Sequence, residues 1–248
     1  MPEEDVAEDA LLGGRVRLLQ RRAGHRAGTD AVLLAAALSP APGATVVDMG
    51  AATGAVALMV AARIPGLRLV LVEREPDLAE LCRQNLVLNG GAGEVVVADI
   101  LEPASRQLPL LAAESADAVF TNPPFLEEGQ ARMSPDPGRA RAHTLARGAL
   151  EAWIEACSRL VRPGGSLALI HRADQVSECL AYAGRKLGGL TLRFAHPRAG
   201  APAVRLLLTG VKGSRAPLTV APPLVLHDGN GRFTVDADAL HRGEAALT

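Results

Sequence analysis

Residues 46–54 read VVDMGAATG, and this stretch decides the fold. A short apolar run passes through Asp48 to Met49, and two glycines follow with three residues between them. Glycine lets the backbone turn sharply and approach a ligand closely. We therefore expect a strand, a glycine turn and a helix in succession, as at the start of a nucleotide-binding α/β fold.

The rest of the chain repeats this alternation of strand and helix. Continuous apolar runs that helices separate are typical of parallel strands covered on both faces. We predict an α/β fold, with a Rossmann-like, seven-stranded, mostly parallel sheet and helices on both faces. No helix separates the last two runs, so the last strand should be antiparallel. The seven runs are 44–49, 67–73, 94–99, 116–121, 166–171, 190–196 and 203–211.

The boundaries of these runs divide the chain into three parts. Residues 1–40 form an N-terminal extension, with a hairpin expected in the glycine-bracketed stretch 13–28 and a helix from Thr29. Residues 41–212 form the core. Residues 213–248 form a tail that we expect to pack on the core.

Composition excludes several classes of protein. The net charge of −1 gives the chain no overall electrostatic attraction to nucleic acid. Apolar runs are too short to span a bilayer, and the acidic start lacks a secretory signal, which predicts a cytoplasmic protein. Three scattered cysteines suggest buried free thiols, and no residues have metal-ligand spacing, so we expect no metal. Monomer and homodimer both stay open.

Polar side chains follow the strands that the pattern predicts. Ligands of doubly wound sheets bind at the carboxyl ends of the strands. Glu73 could accept both hydroxyls of a ribose, and Asp99 an amine hydrogen of adenine. Ala52 replaces the second glycine of a dinucleotide motif, and Asp48 would repel a pyrophosphate. A sulfonium cofactor that carries an ammonium group is a better electrostatic match.

The fourth strand ends in Asn122-Pro123-Pro124-Phe125. Proline restricts its own backbone and that of the residue before it, and it has no N–H. The segment therefore presents two acceptors, the Asn122 side-chain oxygen and the Pro123 carbonyl. Two fixed acceptors can hold a planar NH2 group and favour the transition state in which its nitrogen becomes positive. Phe125 can stack on the flat group that carries this amine.

With these motifs the chain resembles the class I S-adenosylmethionine-dependent methyltransferases over residues 41–212. The NPPF sequence resembles the signature of members that methylate a planar nitrogen, either an adenine or guanine amine or a glutamine amide. Ala52 departs from the glycine that the family usually has. The resemblance implies S-adenosyl-L-methionine as cofactor, bound by Asp48, Gly50, Ala52, Gly54, Glu73 and Asp99.

Two further stretches narrow the resemblance. Residues 24–38 (GHRAGTDAVLLAAAL) and 222–234 (PPLVLHDGNGRFT) are similar to bacterial tRNA adenine-amine methyltransferases, which modify the adenine beside the anticodon of a valine tRNA. Related chains are often described only as predicted O-methyltransferases. The resemblance implies tRNA as partner, Asp30 near the cofactor and Arg26 near the substrate.

Arginine supplies nearly all the basic side chains, and its planar fork suits phosphate. One cluster lies near the N-terminus and consists of Arg15, Arg17, Arg21, Arg22 and Arg26. A second, Arg132, Arg139, Arg141 and Arg147, lies in the loop 126–147, which we expect to act as a lid or a substrate clamp. His143 lies in this loop and is the one histidine that we consider for a functional role.

Other functions stay open at this point. The same chemistry could act on a ribosomal RNA guanine or a protein glutamine. A small-molecule O-methyltransferase would need a base or a metal near a hydroxyl. The chain could also be a non-catalytic module that binds the cofactor or RNA.

Overall fold

Eleven strands are present in the computed structural model, which describes residues 5–24, 26–124 and 148–247. Two of them, β1 (Val6–Leu11) and β2 (Val16–Arg21), form a separate antiparallel hairpin. The other nine form one sheet. They are β3 (Thr45–Met49), β4 (Arg68–Glu73), β5 (Gly93–Val97), β6 (Ala116–Thr121), β7 (Val161–Arg172), β8 (Leu187–Arg198), β9 (Arg205–Lys212), β10 (Thr219–Val220) and β11 (Leu224–His227).

The large sheet has the order β10-β8-β9-β7-β6-β3-β4-β5, and β11 also pairs with β8. The strands from β7 to β5 in this order are parallel, and β9 runs antiparallel between β7 and β8. The predicted seven-stranded sheet with an antiparallel last strand is confirmed. The short strands β10 and β11, both parallel to β8, extend it beyond the prediction.

Six helices are described: α1 (Thr29–Ala36), α2 (Ala55–Arg63), α3 (Pro76–Leu88), α4 (Ala149–Leu160), α5 (Val176–Ala183) and α6 (Val235–His241). Because successive residues of a strand point to opposite faces, each strand feeds two cores. On β6, Phe120 packs into the core with α1 and α2, whereas Val119 packs into the core with α4 and α5. Helices therefore cover both faces, as predicted.

The N-terminal hairpin begins earlier than the sequence suggested. Its first strand lies in the acidic segment before residue 13, and the predicted stretch 13–28 supplies only the second. The acidic residues serve as cross-strand partners, because Glu8 on β1 accepts two hydrogen bonds from Arg17 on β2, at 2.7 and 3.0 Å. The pair is exposed, so it contributes little to stability, and composition alone did not reveal it.

Two asparagine side chains, Asn85 in α3 and Asn89 directly after its end, pair with the backbone of β2. Asn85 accepts from the N–H of Leu19 (2.6 Å) and donates to its carbonyl (3.0 Å). Asn89 does the same at Arg17, with distances of 2.9 and 2.7 Å. Residues four apart on a helix are separated by about 6 Å, close to the spacing of alternate strand residues. The two amides therefore take the place of a neighbouring strand.

The Asn85 amide also reaches the glycine turn. Its Nδ2 donates to the Thr53 carbonyl at 2.9 Å, and the side chain is fully buried. One amide thus joins the hairpin, α3 and the turn after β3. Since each of these buried groups would otherwise lack a partner, the Asn85 side chain should matter far more to stability than that of Asn89.

The structure also shows the apolar length of the helices and the state of the three cysteines. Among the described residues, no helix is both long and apolar enough to cross a membrane. Cys82, Cys157 and Cys179 are all free and buried.

We expect Asn85→Asp to lower the free energy of unfolding by about 2–4 kcal/mol, because a carboxylate oxygen would face the carbonyls of Leu19 and Thr53 in the core. The matched change Asn89→Asp, on the half-exposed side chain, should cost only about 1 kcal/mol. Urea titrations measure both values. Equal losses in the two variants would contradict the account of the buried amide.

Candidate active site

Three of the predicted site residues lie at one level of the sheet. Met49, the last residue of β3, pairs with Val72 on β4 and with Thr121 on β6. The next residues along the three strands are Gly50, Glu73 and Asn122. Neighbouring strands are about 4.8 Å apart, so the glycine turn lies between the acid and the amide.

The turn after β3 needs glycine at both ends. Gly50 and Gly54 have φ angles of +75° and +84°, which favour glycine. A Cβ on Gly54 would also lie 2.8 Å from the Leu71 Cδ2. The N–H groups of Gly50 and Ala51 both donate to the Val72 carbonyl at 2.9 Å, which ties the turn to the end of β4.

Glu73 holds the middle of this turn. Its Oε2 accepts from the Ala52 N–H at 2.8 Å, and its Oε1 accepts from the Glu75 N–H at 2.9 Å. The side chain is 7% exposed. Each carboxylate oxygen can accept more than one hydrogen bond, so both can still receive a hydroxyl from a ligand.

Ala52 occupies a conformation that alanine rarely adopts. Its φ is +49°, in the left-handed region, where a Cβ costs roughly 1–2 kcal/mol. The Glu73 carboxylate and the Cys82 thiol, which donates to the Ala52 carbonyl at 2.9 Å, hold this conformation. The departure from glycine is therefore accommodated by local hydrogen bonds.

Asp48 lies beneath the turn and not on its surface. The side chain is 2% exposed, and its Oδ2 accepts from the Ala57 N–H in the first turn of α2 at 3.0 Å. Burial raises the pKa of Asp48 to about 7, although the Ala57 hydrogen bond opposes the shift. The structure shows this carboxylate holding the start of α2.

Asn122 presents an acceptor without a partner. Its Oδ1 is buried, yet no hydrogen bond reaches it from the described residues. Such a group costs about 1–3 kcal/mol, so an orphan at the end of a strand suggests a ligand that supplies the donor. Pro123 is buried and Pro124 is half-buried. Phe125 lies outside the described residues.

Trp153 supports both the glycine turn and the Asn122 strand. Its indole N–H donates to the Thr121 hydroxyl at 2.8 Å, and this hydroxyl donates to the Met49 carbonyl at 3.0 Å. A Cβ on Gly50 would lie 3.2 Å from the Trp153 Cζ2. The sequence placed this residue only on the apolar face of a helix. The one sequence feature that could have pointed to a role at the site is that Trp153 is the only tryptophan in the chain.

Three further predicted residues, Asp99, Asp30 and Arg26, have partners within the protein. Asp99 accepts from the Leu101 N–H at 2.9 Å and lies 3.8 Å from Arg74, two residues beyond the end of β5. Asp30 pairs with Arg205 at 2.8 Å. Arg26 pairs with Asp9 of the hairpin, and 38% of the Arg26 side chain is exposed. Arg132, Arg139, Arg141 and His143 lie outside the described residues.

His171 is a buried histidine that the sequence did not single out. Since Thr121 at the end of β6 pairs with Leu169, His171 on β7 is level with Pro123, two residues beyond the end of β6. Burial lowers its pKa to about 4, so the imidazole is neutral at physiological pH. In the sequence, the only feature that could have drawn attention to His171 is its position at the end of an apolar run.

No group of three or more His, Cys, Asp or Glu side chains within 5–24, 26–124 and 148–247 is placed to hold a metal ion. The site instead gathers carboxylates and an amide oxygen around a glycine turn. This arrangement suits a ligand that is cationic and rich in hydrogen-bond donors.

The sequence matches the family model of the methyltransferase small domain over residues 25–181. Two curated relatives are each named tRNA1(Val) (adenine(37)-N6)-methyltransferase. The protein from Porphyromonas gingivalis is 34% identical over 164 residues, which is 64% of this chain and 63% of the relative. The protein from Aeromonas hydrophila is 29% identical over 86% of this chain and 87% of its own length. The match thus spans less than two thirds of the Porphyromonas protein.

A solved structure from Agrobacterium tumefaciens, titled a predicted O-methyltransferase, is 35% identical to this chain. It covers 88% of this chain and 98% of its own, with a TM-score of 0.72. The likeness therefore extends over nearly the whole of both folds.

Asp48→Asn tests the burial of the acid. Because the folded pKa is above the ordinary value of 3.8, the native state binds the proton more tightly, and stability falls as pH rises from about 4 to about 7. Asparagine removes this loss and can still accept from Ala57. Urea titrations should show the variant gaining roughly 3 kcal/mol on the wild type between pH 5 and pH 8. Parallel pH profiles would contradict this.

Ala52→Gly and Gly54→Ala form a matched pair on one turn. Relief of the left-handed alanine, offset by the entropy of glycine, should leave Ala52→Gly unchanged or more stable by up to about 1 kcal/mol. Gly54→Ala adds a strained φ and a contact with Leu71, and should cost about 2 kcal/mol or more. Thermal unfolding compares them. A similar loss of Tm in both variants is the contrary result.

Proposed function

The chain belongs to the family of methyltransferase small domains, and we propose that it moves a methyl group from S-adenosyl-L-methionine to the exocyclic amine of an adenine in tRNA. The single observation that carries the proposal is the buried Oδ1 of Asn122 beside the glycine turn, which has no hydrogen-bond partner among residues 5–24, 26–124 and 148–247. The names of the two curated relatives support the choice of tRNA and adenine.

The residues around the glycine turn fit this cofactor. When bound, it supplies a methyl group on a positively charged sulfur. Carboxylates at three neighbouring strand ends, Asp48, Glu73 and Asp99, suit a cation and disfavour a pyrophosphate. Glu73 would hold the ribose hydroxyls with its free lone pairs, and Asp99 would lie toward the adenine. Asp48 would act on the cofactor through the turn.

On the substrate side, the Asn122 amide and the Pro123 carbonyl would bind and orient the amine that receives the methyl group. Asn122 Oδ1 and the Pro123 carbonyl would accept the two hydrogens of the amine and orient its lone pair toward the methyl group. The hydrogen bonds strengthen as the nitrogen becomes positive, so they stabilise the transition state more than the bound substrate. The methylated ammonium is strongly acidic and can release its proton to water without a dedicated base.

The tRNA substrate fits a chain of low net charge. Bases of an anticodon loop are already splayed, so presenting one to the site costs little. The hairpin arginines Arg17 and Arg21 pair with acids, as Arg26 does. We therefore assign the main phosphate contacts to Arg132, Arg139 and Arg141. A tRNA-modifying role would place the protein in the cytoplasm.

Asn122→Leu separates catalysis from folding. We expect methyl transfer to fall at least about 100-fold, while the free energy of unfolding stays the same or rises, because the lost oxygen has no described partner. The assay follows tritiated methyl from S-adenosylmethionine into separate pools of tRNA, ribosomal RNA and protein, and digestion identifies the labelled nucleoside. Gln84→Leu, on the exposed face of α3, is the control and should keep full activity.

Each outcome of this assay decides the proposal. Label in tRNA as N6-methyladenosine supports it. Label confined to protein or to ribosomal guanine would retain the planar-nitrogen chemistry but overturn the substrate. Full activity in Asn122→Leu would overturn the role of the amide.

A further inference from the structure

A second cleft lies at the opposite edge of the sheet from the candidate active site. It has a volume of about 390 Å³. Its walls come from the second half of α4, the segments just before β6 and β8, the short helix Pro103–Gln107 and the end of antiparallel β9. All of these meet at the amino ends of the parallel strands. Strands of this length span roughly 20 Å, so this amino-edge cleft is separate from the Asn122 site.

The amino-edge cleft carries more positive than negative charge. Four cations line it, against two acids. Lys212 lies 3.2 Å from Glu114, and Lys186 lies 3.8 Å from Glu155. The other two cations, Arg106 and Arg159, pair with no acid among the described residues. Within the part of the chain that the structure describes, two positive charges in excess are therefore left uncompensated.

The positive charges of Arg106 and Arg159 repel each other across the cleft. Burial, together with the nearby Arg106 cation, holds the pKa of Arg159 below its ordinary value. The Arg159 Nη2 donates to the Leu111 carbonyl at 3.0 Å, which fixes the guanidinium without neutralising it. Like charges held together in this way are stabilised by an anion between them.

Two buried donors in the cleft walls also lack partners. The Arg159 Nε and the Ser158 Oγ are both buried without a hydrogen bond to the described residues. The Ser158 side chain is 1% exposed. Nε can only donate, so its natural partner is an acceptor oxygen. A water molecule could meet the hydrogen bonds but would leave the excess charge in place.

We propose that the amino-edge cleft binds a phosphate group, either on a free nucleotide or on the backbone of an RNA. A phosphate oxygen would accept from the Arg159 Nε and the Ser158 hydroxyl, and the Arg106 and Arg159 guanidinium groups would neutralise its charge. Lys186, which Glu155 pairs only at 3.8 Å, would add a third cation. Arginine and lysine are the side chains that protein sites use for phosphate. This inference goes beyond the proposed function and does not depend on methyl transfer.

Calorimetry with inorganic phosphate, and with uridine 5′-monophosphate against uridine, tests the site directly. Uridine lacks the adenine that the other site is expected to hold. We expect phosphate and the monophosphate to bind, and uridine and chloride of equal ionic strength to give no heat. Absence of binding by both phosphate probes, together with unaltered RNA affinity in the variants below, would overturn the proposal.

Matched variants locate the binding. Arg106→Gln combined with Lys186→Gln should weaken it at least tenfold, whereas Arg83→Gln on exposed α3 should leave it unchanged. Ser158→Ala should weaken it about threefold with unchanged or higher stability, because its hydroxyl has no described partner. Equal affinity in all four proteins would place the phosphate elsewhere and contradict the inference.

A second arm distinguishes the two sources of phosphate. An anticodon stem-loop RNA is titrated at several salt concentrations, with the wild type and the double variant. If the cleft holds a backbone phosphate, each lost contact should reduce the salt slope by about 0.7–0.9. An unchanged slope with lost monophosphate binding assigns the cleft to a free nucleotide.

Discussion

The parallel register of β3 between β4 and β6 is the constraint on which the site depends. Met49 pairs with Val72 on one side and with Thr121 on the other, so three chain segments leave the sheet at the same level. Glu73 and Asn122 are thereby brought to the two sides of a glycine turn, although more than forty residues separate them in sequence. A slip of one residue in either pairing would turn the acid or the amide to the opposite face.

The residues around the glycine turn have several unfavourable features of backbone conformation, charge burial and hydrogen bonding. Ala52 is held in a left-handed backbone, Asp48 carries a raised pKa in the core, and the Asn122 oxygen has no described partner. Each feature alone destabilises the folded state, and such features cluster at functional sites. Compensation comes from well-packed neighbours, above all the Asn85 amide and the Trp153–Thr121 pair. These contacts hold the glycine turn and the end of β6 in place, and catalysis by positioning requires groups held in this way.

The sequence predicted those features that follow a local pattern. Apolar runs, glycines and prolines mark strands and turns, so the sheet, its antiparallel strand and the level of Asn122 could be expected. Features made by distant side chains left no periodic signal: the strand-like pairing of Asn85 and Asn89, the tryptophan beneath Gly50, and the amino-edge cleft. The acidic strand β1 was missed because its acids resemble a solvated tail. Arg26 was expected at the substrate, yet its partner Asp9 lies on that missed strand.

In the mechanism that we propose, the Asn122 amide oxygen and the Pro123 carbonyl together accept the two hydrogens of an adenine amine. A crystal structure of the protein with S-adenosylhomocysteine and an adenine-bearing anticodon stem-loop measures this directly. We expect the adenine amine nitrogen within about 2.7–3.2 Å of both Asn122 Oδ1 and the Pro123 carbonyl. An adenine bound away from these two oxygens, or an Asn122 amide turned into the interior with the base in place, would contradict the account.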